Sequence, residues 1–375
     1  RVLGLGDTGQ SLTPNDLIKA ILRAPVDLLW NGGIGTFVKA TSERHADVGD
    51  NATDAIREDA ATRRFRAVGE GGNLGFTQLG RVEYALAGGL INTDAVDNSA
   101  GVDTSDHEVN IKILLDRVVQ SGALSIAGRD ACLAAMTDEV AEQVLRDNDG
   151  QNVALSHSGT QGPSLLHVHA RMIRAFEDQG LLDREVESLP SVKQIADRRQ
   201  EGHGLVGPEL AVLMAYAKIG LVDGLLASSV PDEDAFVDAL TEYFPTPLRE
   251  RYAEHVAEHP LARQIVATTV ANHVVNRAGV TFWWRLHDEL GASPADVARA
   301  HTAAWNIFAM GDEWTRIGGL GRAVSSATRV AMRLEGERLV EQGTRWLLTY
   351  RWAWRDTRAA TLTYRDGVAE VLASL

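Results

Sequence analysis

The chain has 375 residues, 45% of them hydrophobic and 23% charged, and its formal net charge is -14. This length exceeds what one hydrophobic core usually serves, and the acidic balance disfavours a nucleic-acid-binding protein, because phosphate contacts need a basic surface. The only cysteine, Cys132, excludes an internal disulfide framework and a zinc site built on cysteines, and it favours a reducing compartment.

Short apolar runs alternate with helical patterns over the first 121 residues. Caps, apolar spacing and glycines predict, in chain order, a helix over 13–24, a buried strand over 25–30, a charged helix over 47–64, a strand and turn over 65–73, a helix over 77–89, a strand over 90–96 and a helix over 105–119. This alternation of strand and helix is typical of an α/β unit with a parallel sheet.

Three polar loops follow the predicted strands, at 31–36, 70–77 and 94–105. In open parallel sheets, ligands bind at the carboxyl ends of the strands, where such loops begin. Glycines there let a backbone approach a ligand, and Asn73 offers both a donor and an acceptor. Each loop alone is typical of a structural turn. For the loops at 31–36 and 70–77 taken together, a cofactor cleft and a pair of structural turns are equally favoured interpretations.

From about residue 122 the pattern is almost wholly helical. Apolar residues recur every three or four positions in seven segments: 129–147, 163–180, 207–222, 231–243, 260–276, 293–309 and 324–345. The sequence therefore predicts an all-α domain over 122–375.

Several motifs are interpreted as structural. GLGDTG at 4–9 has the glycine spacing of a dinucleotide fingerprint, but QSLTP separates it from the next helix, so a loop is favoured. His255 and His259 lie one helical turn apart without an evident third ligand, and no metal site is expected. WAW at 352–354 indicates aromatic packing. No apolar run approaches the length of a membrane span, and with one cysteine this favours the cytoplasm.

Four longer phrases carry a family resemblance: VDLLWNGGIGTFVKA, EGGNLGFT, DNSAGVDTSDHE and, in the helical part, GHGLVGPELAVLMAYAKIGL. They are similar to the large bacterial NAD-dependent glutamate dehydrogenases, and the resemblance covers nearly the whole chain. It implies a partial Rossmann-like α/β part followed by a larger all-α domain. It also implies oxidation of L-glutamate to 2-oxoglutarate and ammonium, with hydride transfer to NAD, by a homo-oligomer.

The resemblance also implies roles for particular residues. Asn73 faces the nicotinamide ribose, and Asn98 contacts nicotinamide and substrate. Ser105 hydrogen-bonds the side-chain carboxylate of the substrate, while Gly32 and Gly33 form a turn beside the adenosine ribose. The small residues after Asn98 are expected to form a turn. The neighbouring acids are expected to be solvated or paired with arginines, because bare carboxylates repel glutamate.

The family's catalytic lysine has no match among the five lysines of this chain, and Lys39, the nearest to the loops, sits in a different phrase. No catalytic residue is therefore assigned. We expect residues 1–121 to be the second half of the NAD-binding domain and 122–375 the helical C-terminal domain. The substrate domain and a regulatory region are expected elsewhere in the same polypeptide, so this chain alone should show little activity. The alternatives are a non-catalytic helical assembly module and a dehydrogenase of another amino acid.

Overall fold

A computed structural model of the chain describes residue 3 and residues 11–350 and 356–374. The GLGDTG and WAW motifs lie outside the described residues. Two compact units are present: one combines residues up to 103 with 159–213, and the other combines 104–158 with the residues from 214 onward. No helix in the described part of the chain is both long enough and apolar enough to cross a bilayer.

The first elements along the chain are short, apart from the last of them, a helix of 22 residues. They are α1 Pro14–Leu22, β1 Leu28–Asn31, β2 Val38–Lys39, α2 His45–Val48, β3 Glu58–Asp59, β4 Ala67–Glu70, α3 Gln78–Leu86, α4 Asp94–Asp97 and α5 Ser99–Gln120. Helices alone follow, apart from short 3-10 turns: α6 Ile126–Ala135, α7 Thr137–Asp178, α8 Val192–Glu201, α9 Gly207–Leu226, α10 Val237–Tyr243, α11 Thr246–Arg251, α12 Ala253–Ala257, α13 Ala262–Ala278, α14 Phe282–Leu290, α15 Pro294–Ile307, α16 Met310–Gly319, α17 Ser326–Thr349 and α18 Thr357–Ala373. The described chain is thus mostly helical, with only small sheets.

Both small sheets are parallel. Strand β1 pairs with β4 from Leu28 opposite Ala67 to Asn31 opposite Glu70, and a parallel bridge joins Ala67 to Leu90 on the other side. Strand β2 pairs with β3 in the same sense. Because β1 and β4 run parallel, their carboxyl ends lie at one edge, as the sequence predicted for the loops that follow them.

Local capping explains why the two early helices begin where the sequence predicted. The side chain of Thr13 accepts from the backbone N–H of Asp16, and Thr77 accepts from Gly80. Each hydroxyl satisfies a donor that the first helical turn leaves open. The predicted helices over 13–24 and 77–89 are confirmed as α1 and α3.

The predicted charged helix over 47–64 is wrong. Helix α2 ends at Gly49, whose φ of 76° is left-handed, and 3-10 turns and β3 follow it. Polar side chains of this segment bond to the backbone of Thr36 instead: its N–H donates to Asp50 at 2.9 Å, and its carbonyl accepts from Arg57 Nε at 2.9 Å. Tertiary hydrogen bonds here override the local helical preference.

The strand predictions need correction as well. The run 25–30 is not fully buried: Leu28 and Trp30 are 56% and 60% exposed, because strand alternation puts both on a face that no described element covers. The predicted strand over 90–96 is reduced to the single bridge at Leu90. Its second half is helix α4, where Asp94 lies in the first turn, a position that the helix dipole favours for acids.

The small-residue turn expected after Asn98 is also wrong, because residues 99–101 form the first turn of α5. In the C-terminal part, every predicted segment is helical at least in part. However, the predicted helix over 129–147 spans the end of α6 and the start of α7, and the predicted helix over 163–180 lies mostly within the same α7, a continuous helix of 42 residues that contains Pro163. Proline is favoured at a helix start, which is why the sequence indicated a boundary there.

Candidate functional site

The loops that follow β1 and β4 are bound to each other through their backbones. The carbonyl oxygen of Asn31 accepts from the N–H groups of Gly71 at 2.9 Å and Gly72 at 3.1 Å. A Cβ at Gly72 would lie 2.4 Å from the carbonyl oxygen of Gly33, so a larger residue does not fit without a shift. Residues 31–36 and 70–77 therefore form one continuous edge.

Two of the asparagines assigned from sequence meet at this edge. The side-chain amide of Asn98 donates to the amide oxygen of Asn73 at 3.1 Å. Asn73 is exposed, and Asn98 is half-buried at the residue between α4 and α5. The pair presents polar amide groups beside the carboxyl end of β4.

A buried ion pair lies beneath the second loop and was not found from the sequence. Glu70, the last residue of β4, is fully buried, and Arg81 of α3 is 3% exposed. The guanidinium donates through Nε to one carboxylate oxygen at 2.7 Å and through Nη2 to the other at 3.0 Å. The first of these distances and the two-pronged geometry are typical of strong arginine–carboxylate contacts.

The same carboxylate closes the loop on itself. Glu70 Oε1 accepts from the backbone N–H of Phe76 at 3.0 Å, so one side chain joins the beginning of the 70–77 segment to its end. Burial raises the pKa of Glu70, and the contact with Arg81 opposes this rise. The ion pair thus stabilises the loop from inside the protein.

Two aspartates of the acidic stretch hold the loop from its other side. Asp94 pairs with Arg81 at 3.0 Å and accepts from the backbone N–H of Leu74 at 2.8 Å. Leu74 has a φ of 57°, so this contact fixes a residue in the left-handed region. The expected pairing of acids with arginines is confirmed for Asp94.

Asp97 serves a similar structural role. It accepts from the N–H of Glu70 at 3.0 Å and from the Asn92 side-chain amide at 3.1 Å. Burial raises the pKa of its carboxyl group, and the backbone hydrogen bond opposes the rise. Asp94 and Asp97, which lie just before Asn98 in the sequence, therefore position the loop that carries Asn73.

The edge also has open space beside one glycine, Gly33. A Cβ at Gly33 would meet no atom within 4 Å, so internal packing does not explain a glycine there. Nδ2 of Asn31 lacks a hydrogen-bond partner among the described residues, but it is buried against Gly75, where an added Cβ would lie 1.7 Å from it. Gly32 and Gly33 are both exposed. The open space at Gly33 leaves room for a ligand to approach the backbone.

Trp30 is a second feature that the sequence did not single out. Its indole ring packs against the strand ends so closely that a Cβ at Gly69 would lie 2.6 Å from the ring and one at Gly71 would lie 2.4 Å from it. The ring is nevertheless 60% exposed. The flat aromatic surface therefore borders the same edge.

Ser105 lies on the exposed side of α5, in its second turn. Asn98, seven residues earlier, precedes the first residue of α5. Lys39, the lysine nearest to the loops in sequence, is buried and forms an ion pair with the partly exposed Asp59, and its ammonium group also donates to the Ala40 carbonyl at 3.2 Å.

His259 is occupied by the backbone on both sides of its ring. Its Nδ1 accepts from the N–H of Leu261 at 3.1 Å, and Nε2 lies 3.1 Å from the carbonyl oxygen of Asn110. Burial lowers the pKa of this histidine. The neutral ring is therefore committed to structural hydrogen bonds.

Comparisons with known proteins add family relationships. A family described as "Bacterial NAD-glutamate dehydrogenase, catalytic domain" matches residues 2–158, and "Glutamate dehydrogenase, C-terminal" matches residues 202–375. The chain is 49% identical over 340 residues to the NAD-specific glutamate dehydrogenase of Mycobacterium tuberculosis. The aligned region covers 91% of this chain and 21% of that protein.

Two further relatives carry the same name. The protein of Halomonas elongata is 46% identical over 94% of this chain and 22% of its own length. That of Pseudomonas aeruginosa is 45% identical over 91% of this chain and 21% of its own length. The chain thus spans about a fifth of the length of the curated relatives that it matches.

Proposed function

The chain belongs to the bacterial NAD-glutamate dehydrogenases, and we propose that it supplies the cofactor-facing part of an enzyme that oxidises L-glutamate to 2-oxoglutarate and ammonium. NAD, when bound, would accept the hydride from the glutamate α-carbon. The observation that carries the proposal is the hydrogen bond between Asn73 and Asn98 at the carboxyl edge of the parallel strands. Such edges are where ligands bind in sheets of this kind.

The residues at this edge fit a dinucleotide. Gly32 and Gly33 would let the backbone approach the adenosine ribose, and the open space above Gly33 supports this role. Asn73 and Asn98 would orient the ribose and amide of the nicotinamide end through neutral hydrogen bonds. The buried Glu70–Arg81 pair would keep Asn73 in place without exposing a charge to the ligand.

Asn98 and Ser105 would bind the substrate. The family relationship of this segment supports both roles. Ser105 would donate its hydroxyl to the side-chain carboxylate of glutamate, which separates this substrate from apolar amino acids. We propose that the acid–base group comes from another part of the polypeptide, since Lys39 is held by Asp59.

The finer fold assignment is part of the same proposal. Residues 1–121 would form the second half of a Rossmann-like NAD-binding domain, and 122–375 the helical C-terminal domain. Exposure of Leu28 and Trp30 on one face of the sheet supports this, because parallel sheets are nearly always covered on both faces. Further elements of the domain would then pack against that face.

The proposal extends to partners and location. The enzyme would work as a homo-oligomer in the cytoplasm, with the substrate domain and regulatory region as parts of the same polypeptide. The helical-module alternative and the dehydrogenase of another amino acid are less favoured, because all three relatives above are named NAD-specific glutamate dehydrogenases.

Replacing Ser105 with alanine tests the substrate assignment. In a complete dehydrogenase polypeptide that contains this sequence, the KM for glutamate is expected to rise about tenfold to a hundredfold, because a hydrogen bond to a charged group is lost. The KM for NAD should change much less. Steady-state kinetics with each substrate varied in turn measures both constants.

Ser121→Ala is the matched control. Ser121 is exposed just beyond the end of α5, and its hydroxyl lies 2.8 Å from the Val118 carbonyl and 3.5 Å from Nε2 of His255, none of which is assigned to substrate or cofactor. This substitution should leave both constants unchanged. Equal rises in the two KM values for Ser105→Ala would contradict the role in glutamate recognition.

A further inference from the structure

A polar cavity of about 330 Å³ lies in the unit formed by 104–158 and the residues from 214 onward. Its walls come from α7, the end of α16 and the first two turns of α17. The lining includes Asp149, His157, Ser326, Arg329 and Arg333. By volume it has room for about ten water molecules, so it can admit a ligand larger than a single ion.

Two arginines face this cavity without a carboxylate partner. Arg329 and Arg333 are one helical turn apart on α17, and neither forms an ion pair with any of the described residues. Arg329 donates to the Gly321 carbonyl at 2.5 Å, and the Arg333 guanidinium lies 5.4 Å from the ring centre of Trp314. Nε of Arg333 is buried without a hydrogen-bond partner there.

A buried histidine adds a third open group. His157 is 1% exposed, and its Nδ1 lies 2.5 Å from the carboxylate of Glu337. The other ring nitrogen, Nε2, is buried and meets no hydrogen-bond partner in the described part of the chain. If Nδ1 donates to Glu337, the neutral ring presents Nε2 as an acceptor; Nε2 carries the proton in the neutral ring only where Nδ1 accepts from a protonated Glu337.

The charges around the cavity favour an anion. Asp149 is the only acidic residue of the lining, and it is exposed. Glu337 is buried and occupied by His157, and burial raises the pKa of its carboxyl group. The amino terminus of α17, a helix of 24 residues, adds partial positive charge beside Ser326. Burial lowers the pKa of Arg333, while the carboxylates of Asp149 and Glu337 oppose that shift.

We propose that this cavity binds a small multivalent anion, bearing either phosphate groups or paired carboxylates. Arg329 and Arg333 would donate to two of its oxygens, with the Ser326 hydroxyl as a further donor. Guanidinium groups suit both kinds of anion because their planar donors match two acceptor oxygens at once. This site lies outside the residues to which the proposed dehydrogenase function assigns cofactor or substrate contacts.

Calorimetric titration of the 375-residue chain tests the proposal. Inorganic phosphate, pyrophosphate and succinate are added separately in a low-salt buffer without other multivalent anions. At least one probe is expected to bind with a Kd below about 1 mM. The double variant Arg329→Gln with Arg333→Gln should weaken that binding about tenfold or more. Preference between pyrophosphate and succinate identifies the chemical group that the site recognises.

Arg338→Gln is the matched control. It removes the same charge from the same helix, but Arg338 is exposed, pairs with Glu335 at 2.7 Å and lies outside the cavity lining. Its affinity for the probe should equal that of the unmodified chain. Circular dichroism of each variant checks folding, and Arg329→Gln alone keeps the contact of Arg333 with Trp314 if the double variant does not fold.

Two results overturn the proposal. One is the absence of measurable binding for all three probes. The other is that Arg329→Gln and the double variant bind the probe as tightly as Arg338→Gln does. The anion would then bind outside this cavity.

Discussion

Replacing Glu70 with alanine is expected to lower the local free energy of unfolding by about 3–5 kcal/mol. The substitution leaves the Arg81 guanidinium buried with Asp94 as its remaining carboxylate partner, and it removes the acceptor of the Phe76 N–H group. Urea-dependent hydrogen exchange of amides in β4 and α3 measures the loss. This local measurement is preferable because a chain of two compact units need not unfold in one step.

Glu335→Ala provides the contrast. Glu335 also pairs with an arginine, Arg338 at 2.7 Å, but both side chains are more than half exposed. Removing an exposed pair should change stability by less than about 1 kcal/mol. If Glu70→Ala destabilises the protein no more than Glu335→Ala does, the buried pair does not hold the loop that carries Asn73.

Replacing His301 with leucine is expected to make the protein progressively more stable than the unmodified chain as the pH falls. His301 is 2% exposed, lies against Phe282 and Trp305, and has a buried Nε2 without a hydrogen-bond partner among the described residues. Burial lowers the pKa of His301 from 6.5 to about 3, and Arg277 contributes to the shift. The folded protein therefore keeps this ring neutral.

The sign follows from the two protonation states. Below pH 6.5 the unfolded chain binds a proton at His301, whereas the folded chain does so only near pH 3, so acid favours unfolding of the unmodified protein. Leucine has no such proton. The stability difference in favour of His301→Leu should grow by roughly 1 kcal/mol for each pH unit between about pH 6 and pH 4.

Urea unfolding curves at several pH values give this difference, and comparison with the unmodified chain cancels the buried carboxyl groups that titrate in both proteins. His301→Gln separates titration from packing, because it should show the same pH dependence with lower stability at neutral pH. Parallel pH profiles for His301→Leu and the unmodified chain would show that His301 is protonated in the folded state.

Sequence reasoning succeeded where the physical cause was local. Thr13 and Thr77 are caps that bond within three residues of themselves, and both helices begin as predicted. The parallel arrangement of β1 and β4 follows from the alternation of strands with helices, and it brings the loops at 31 and 70 to one edge. Asn73 and Asn98, assigned through family resemblance, lie within hydrogen-bond distance there.

It failed where distant residues decide the structure. The Glu70–Arg81 pair joins a strand to a helix across an intervening loop, so no single periodicity relates the two residues. Arg57 and Asp50 lie in a segment with helical composition, but their bonds to Thr36 determine its path. The exposed face of Trp30 was missed because an apolar run indicates burial without showing what covers it.

The central claim is that Asn73 and Asn98 together hold the nicotinamide end of NAD. A double-substitution cycle tests it most directly, with Asn73→Ala, Asn98→Ala and both together in a complete dehydrogenase polypeptide that contains this sequence. The claim predicts that each single substitution raises the KM for NAD. The double substitution should raise it by less than the product of the two single increases, with a coupling free energy above about 0.5 kcal/mol, because the two side chains share a hydrogen bond. An unchanged KM for NAD in both single variants, with the fold intact, would contradict it.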